Sequence, residues 1–310
     1  MSNTISNRQA ICEYLVGLAD TDKDVVILTS DSRGSAGLAP FYAAHPGQTV
    51  ETGIAEQNIV GIAAGMARCG KKPVVASPAS FLSTRAAEQV KVDVAYSHTN
   101  VVLLGISGGV SYGALGMSHH SVQDVAFMRA VPGIDVILPC DRFESVEVFR
   151  DLMAHPRPAY VRIGRNAVED VFSPDCVRYE RGKATKLCSG KRAAIIACGE
   201  LVRPALDAAE ALKKQGIDIS VYDMHTIKPL DEAAVLEAAG TGFILTMEEA
   251  SVNGGLGEAV CAVAMQSGIP CKAKLLGIPD EPAIAGTSKE VFAYYGLTAD
   301  NAQKIIKANI

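Results

Sequence analysis

Apolar residues in this chain fall in short continuous runs, separated by segments of helical spacing. Residues 24–29 (DVVILT) are apolar at successive positions, the pattern of a strand covered on both faces. Residues 73–76, 100–106, 134–138 and 159–163 read the same way. Between them, residues 8–19, 55–69, 80–96, 121–130 and 141–154 carry helical periodicity. A stretch without clear period runs from residue 165 to 190 and includes Pro174 and Gly190. Beyond it the alternation resumes. Strands are expected at 192–197, 217–222, 242–247 and 273–276, and helices at 201–215, 231–239 and 255–266, with further helices closing the chain. Strands taken in turn with helices predict an α/β fold of two doubly wound, mostly parallel-sheet domains. The expected division is residues 1–170, a linker at 171–190, and residues 191–310. In such folds ligands gather at the carboxyl ends of strands, which draws attention to the loops after Thr29, Ala76 and Ile106.

Composition narrows the function classes. The 310 residues suffice for two cores, and a net charge of −5 argues against nucleic acid or an anionic membrane as the main partner. No apolar run approaches the ~20 residues of a membrane span. The start, MSNTISNRQA, lacks the pattern of a secretory signal. The eight cysteines form no C-x-x-C pair and read as reduced thiols, so a cytoplasmic protein is expected.

Five segments could carry chemistry. Glu56 opens an apolar helix in TGIAEQN (52–58), where the helix dipole favours a carboxylate; no basic residue lies within one turn to pair with it. Asp31, Ser32 and Ser35 follow a buried strand in DSRGS (31–35). Phe81 and Arg85 lie in SFLSTR (80–85), at a strand-to-helix junction of a chain with only 5% aromatic residues. His119 and His120 stand together in GMSHHS (116–121). Adjacent residues do not share a helix face, so a metal pair is not expected there, and polar recognition of a substrate fits better. Arg162 and Arg165 end a strand in VRIGRN (161–166), where guanidinium groups could grip an anion. Each segment alone also suits an ordinary structural role.

Taken in order, these segments resemble the transketolase family, in the half that carries the pyrimidine-binding and C-terminal domains. The chain has GIAEQN, a Phe-bearing segment followed by RAAEQV, GMSHHSVQD, MRAVPGIDVILPCD and YVRIGRNAV. YDMHTIKPLD and MEEASVNGGLGEAV extend the likeness into the second half. The resemblance implies thiamine diphosphate as cofactor. Glu56 would bond its aminopyrimidine ring and favour the imino form, whose nitrogen takes the proton from the thiazolium carbon. Phe81 would stack on the pyrimidine, with Asp31, Ser32 and Arg85 close to the cofactor. His119 would meet the donor's hydroxyl end, Ser35 and His120 would line the sugar site, and either Arg162 or Arg165 would hold the distal anion. Ser107 and Leu115 replace a His and an Asp that full-length transketolases set against the sugar, and Gly108 replaces an arginine of deoxyxylulose-phosphate synthase.

The family's other half binds the diphosphate through Mg2+ and a Gly-Asp-Gly motif, and no Gly-Asp-Gly occurs here. A diphosphate needs a hard cation with oxygen ligands. The resemblance therefore implies one subunit of a two-chain transketolase, its N-terminal partner supplying the Mg2+ site in an A2B2 assembly. Ketol transfer between sugar phosphates or related sugars is the expected reaction. The beta subunit of a 2-oxoacid dehydrogenase decarboxylase is a second reading, and a non-catalytic structural subunit a third.

Overall fold

In the computed structural model, which describes residues 5–310, the strands divide between two sheets. The first half supplies β1 (Val25–Thr29), β2 (Thr49–Glu51), β3 (Lys72–Pro78), β4 (Val102–Ile106), β5 (Asp135–Ile137) and β6 (Ala159–Arg162). The second half supplies β7 (Thr185–Cys188), β8 (Ala194–Ala197), β9 (Ser220–Asp223), β10 (Thr226–Lys228), β11 (Phe243–Ser251) and β12 (Lys272–Ile278). Seven strands form the first sheet in the order β10-β5-β6-β4-β3-β1-β2, and five form the second in the order β12-β11-β8-β9-β7. The pairings are parallel except β10 on β5 and β7 on β9, one at an edge of each sheet.

The uninterrupted apolar runs have a direct cause. β1, β4 and β8 are buried at every position, because helices cover both faces of each sheet. On one face of the first sheet, Ile11 and Leu15 of helix Asn7–Thr21 pack with Phe149 and Leu152 of helix Arg142–Ala154. On the other, Ile59 and Val60 of helix Glu56–Arg68 pack with Leu82, Val90 and Val94. That second cluster continues without a break into Ile196, Tyr222 and Met224 of the second half. Register sets Ile27 beside Val74 and Val74 beside Val102, so the carboxyl ends of β1, β3 and β4 open side by side.

Four parts of the fold differ from expectation. Residues 80–96 do not form one regular helix. Phe81–Arg85 and Val90–Tyr96 are π-helical, with bonds from Ala86 N to Phe81 O (3.2 Å) and Ser97 N to Val92 O (3.1 Å), and a short turn, Ala87–Gln89, lies between. The hydroxyls of Ser83 and Thr84 donate to the carbonyls of Ala79 and Ser80, competing for the regular ladder just where Phe81 and Arg85 are presented. Within the stretch read as linker, Thr185–Cys188 is an edge strand. The short strands β2 and β10, too brief to show a period, were absent from the sequence pattern.

Gly105 on β4 lies beneath the ring of Tyr160 on β6; a Cβ there would come 2.5 Å from the phenolic oxygen. Gly105→Ala is expected to cost about 1–3 kcal/mol by overpacking, read as a lowered thermal midpoint in calorimetry. An unchanged midpoint would mean that the ring moves freely.

Candidate functional site

The loops at the carboxyl ends of β1, β3 and β4 enclose a cleft of about 280 Å³, lined among others by Asp31, Ser32, Ser35, Glu56, Phe81 and His119. Six sequence candidates from four separate segments thus meet in one place. Glu56, at the first position of its helix, is only 2% exposed. Its partner comes from another element: Arg85 Nη1 donates to Glu56 Oε2 at 2.8 Å, from 29 residues further along the chain. The carboxylate that looked partnerless in sequence is therefore ion-paired. Arg85 also lies over the Phe81 ring, 4.2 Å from its centroid. His119 meets both Phe81 (5.3 Å) and Tyr112 (5.2 Å) edge to face, and its Nδ1 is 2.9 Å from Ser118 Oγ.

Local structure sets these side chains. Asp31 has a φ of 55°, in the left-handed region that non-glycine residues avoid. Glu51, at the end of β2, holds that turn: Oε1 accepts from Asp31 N (2.7 Å) and Gly53 N (2.9 Å), and Oε2 accepts from the Thr29 hydroxyl (2.7 Å). Burial pushes the Glu51 carboxyl up, but these donors outweigh it and hold it below its ordinary value. Ser32 is buried; its hydroxyl accepts from Ser30 N and donates to Ala76 O, so it serves the turn.

Other candidates lie elsewhere. His120 is buried and faces a neighbouring cavity of about 340 Å³ that shares Phe81 with the cleft and is also lined by Arg85. Burial lowers its pKa, leaving a neutral ring whose Nε2 lies 3.0 Å from Gly113 O. Arg162 is 5% exposed and turned inward, its Nε 3.2 Å from Asp124 Oδ2 and its Nη2 donating to the Glu249 carbonyl at 2.6 Å. A guanidinium so occupied does not reach the cleft. The same packing explains Gly108, where a Cβ would collide with Arg162 Nε. Arg165 instead lies over the Tyr112 ring, 5.5 Å from the centroid. Beside it is Arg8, whose Nη1 donates to the Ser35 carbonyl at 2.5 Å. Burial and the like charge of Arg165 both lower the Arg8 pKa.

Glu51, Tyr112 and Arg8 escaped the sequence reading. Tyr112 carried a faint signal, an aromatic in a glycine-rich loop after a buried strand. Glu51 and Arg8 carried none, because only the sheet order brings β2 and the first helix to this end of β1.

Residues 3–170 match the family described as "Transketolase, pyrimidine binding domain", and residues 182–302 match "Transketolase, C-terminal domain". The chain belongs to the transketolase family. It is 46% identical over 304 residues to an apulose-4-phosphate transketolase subunit of Phocaeicola vulgatus, covering 98% of this chain and 97% of that protein. It is 35% identical over 302 residues to a 6-deoxy-6-sulfo-D-fructose transketolase subunit of Clostridium sp. (strain MSTE9), covering 97% and 92%. A solved split gene transketolase, an inactive beta4 tetramer, superposes with a TM-score of 0.89 at 34% identity, covering 99% of this chain and 98% of that one. The likeness thus runs the full length of separately encoded transketolase subunits. Membership carries the thiamine diphosphate dependence that the resemblance implied. The two-domain parallel-sheet fold read from the sequence is the transketolase fold. Among the described residues no helix is long and apolar enough to cross a membrane.

Because the Glu51 carboxyl is depressed in the fold, its contribution is present above the ordinary carboxylate pKa and is lost as pH falls through the depressed value. Glu51→Gln is therefore expected to lower the thermal midpoint at pH 7, with the gap to wild type closing below about pH 4. A gap independent of pH would show that the negative charge contributes nothing.

Proposed function

We propose that this chain is the beta subunit of a split transketolase, which with an N-terminal partner chain transfers a two-carbon ketol unit from a ketose donor to an aldose acceptor. The observation that carries the reading is the buried Glu56 carboxylate beside the Phe81 ring, with His119 across the same cleft. An acid 2% exposed, next to an aromatic surface, fits an aminopyrimidine ring: it can bond a ring nitrogen while the ring covers Phe81. When bound, thiamine diphosphate supplies the electron sink for breaking a carbon–carbon bond.

The remaining work falls to side chains of this chain. Glu56 holds a proton at the pyrimidine nitrogen, and Arg85 orients its carboxyl through the 2.8 Å contact. His119, with Nδ1 engaged by Ser118, turns its other nitrogen toward a donor hydroxyl. Asp31 and Ser35 line the sugar path. Arg165 and Arg8 form a doubly positive mouth whose mutual repulsion an anionic sugar substituent, a phosphate or a sulfonate, would relieve. We assign the distal anion to this pair rather than to Arg162. The diphosphate and its Mg2+ belong to the partner chain, since this one has no Gly-Asp-Gly, and an A2B2 assembly follows. A similar beta chain is inactive as a beta4 tetramer, which supports the need for that partner. The eight free cysteines support a cytoplasmic location.

The chain mixed with its cognate N-terminal subunit, thiamine diphosphate and Mg2+ is expected to transfer ketol units, while either chain alone is not. Activity from this chain alone, or 2-oxoacid decarboxylation by the mixture, would overturn the reading. Glu56→Gln should lower turnover about 100-fold or more with assembly intact; an unchanged rate would point to a structural subunit. Arg165→Met and Arg8→Met should each raise KM for a phosphorylated donor about tenfold or more, with little change for an unphosphorylated one. Equal effects on both donors would remove the anion from the argument.

A further inference from the structure

The loop from Ser107 to Ser121 carries Tyr112 and His119, and short turns shape it, among them Ser111 N to Gly108 O (3.2 Å), Gly113 N to Val110 O (2.9 Å) and His119 N to Gly116 O (2.9 Å). Ser107 (φ 54°), Gly109 (58°), Gly113 (57°) and Gly116 (66°) all take left-handed conformations, which interrupt any regular ladder. Its two ends are clipped by the pair Gly109 N to Ser121 O (3.0 Å) and Ser121 N to Gly109 O (2.7 Å). The first half also holds its start, through Gly108 N to Ile163 O (2.9 Å), and further anchorage comes from the C-terminal domain. Glu249 Oε1, on β11, accepts from Val110 N at 2.8 Å, and the loop backbone presses so closely on this carboxyl that a Cβ on Gly109 would collide with it. At the far side Gly113 fits against the Gly286 carbonyl, 2.9 Å from where a Cβ would stand. Arg162 Nη2 in turn holds the Glu249 backbone carbonyl at 2.6 Å, so the main chain that carries this carboxyl is fixed.

We propose that Glu249 is a positioning residue, the point at which the C-terminal domain seats the 107–121 loop and so sets Tyr112 and His119 against the ketose donor. The inference rests on the ketol-transfer reading given above. It assigns the C-terminal domain a part in substrate recognition although its residues do not line the cleft. What the loop needs from Glu249 is an acceptor at the right reach, not a charge. Burial, set against the pull of Arg162 and the Val110 N–H, raises this carboxyl above its ordinary value, which makes its charge costly to keep. An amide oxygen at the same position would accept the same bond, whereas a carboxylate one methylene shorter would not reach it.

The test uses Glu249→Gln and Glu249→Asp in the full chain, assayed with the partner subunit for donor KM and kcat, and separately by amide hydrogen exchange of peptides covering 107–121. Glu249→Asp is expected to raise donor KM about tenfold with kcat within about threefold, the loss of one buried hydrogen bond. It should also speed exchange in this loop alone. Glu249→Gln should stay close to wild type in both measurements. A defective Gln variant with a normal Asp variant would overturn the proposal in favour of the ion pair with Arg162. Two normal variants would mean that the loop stands unaided, and exchange raised across both domains would mean a packing role only; either result overturns it too. The exchange measurement needs no activity. Absence of ketol transfer by the wild-type mixture would therefore sink the functional reading and leave the loop test standing.

Discussion

A guanidinium cannot be taken out of water without partners, and this molecule is arranged around one that has been. Arg162 ends an interior strand at the junction of the two halves, 5% exposed, and its charge must be met on the spot. Asp124 supplies the counter-charge, and the carbonyl of Glu249 takes a second donor. Asp124 also accepts from the Tyr160 hydroxyl at 2.6 Å, and the Tyr160 ring needs a glycine at 105 beneath it. The Arg162 stem requires another at 108. One buried charge therefore dictates the small residues of β4 and the loop after it, the start of the helix Asp124–Ala130, and the seating of β11. Pairing at such a site does more for arrangement than for net stability, since desolvation consumes most of the Coulomb gain.

The cleft is built on the opposite allocation. Glu56 is even more buried than Arg162, yet its partner Arg85 is 39% exposed and comes from a π-helical turn rather than a regular one. An ion pair with one end in solvent is weaker and more readily rearranged than one closed on both sides. Left-handed Asp31 and Ser107 stand at the mouths of two strands of the same sheet, where the fold tolerates conformations it avoids elsewhere. Close by, Ser80 Oγ, His120 Nδ1 and Ser121 Oγ are buried without a protein partner. Arg162 Nε and Asp124 Oδ1 at the junction also lack a hydrogen-bond partner, so what separates the two sites is that the junction closes its charges off from solvent while the cleft leaves one end exposed.

How much of this the residues announced depended on the range of the interaction responsible. Long strands and helices were legible because each declares its burial through its own periodicity, as 24–29 and 141–154 do. The cleft candidates were legible as ordered motifs, and six of them converge. Arg162 and Arg165 read alike, both arginines at the end of one strand, but only tertiary packing separates the inward one from the outward one. The partner of Glu56 was hidden for the same reason, since Arg85 approaches across 29 residues of chain. The break in the 80–96 helix arises from hydroxyls of Ser83 and Thr84 that bond locally, an effect too fine for hydrophobic patterning to register. Glu51 and Arg8 reach the site only through the order of strands in the sheet, which pattern alone does not give.

The strand β10 has a consequence for how this protein can be inherited. It lies in the second half of the chain, just past β9, yet it closes the edge of the first half's sheet, and the apolar cluster behind it is shared by both halves. Cutting the gene between the two domains would strip one of them of its border strand and leave an open, adhesive edge. The two domains are therefore not interchangeable cassettes: recombination can shuffle the pair as a block against other partner chains, but cannot trade one domain without the other. A transketolase divided into two genes is best divided ahead of both of them, so that this stitch stays within a single polypeptide.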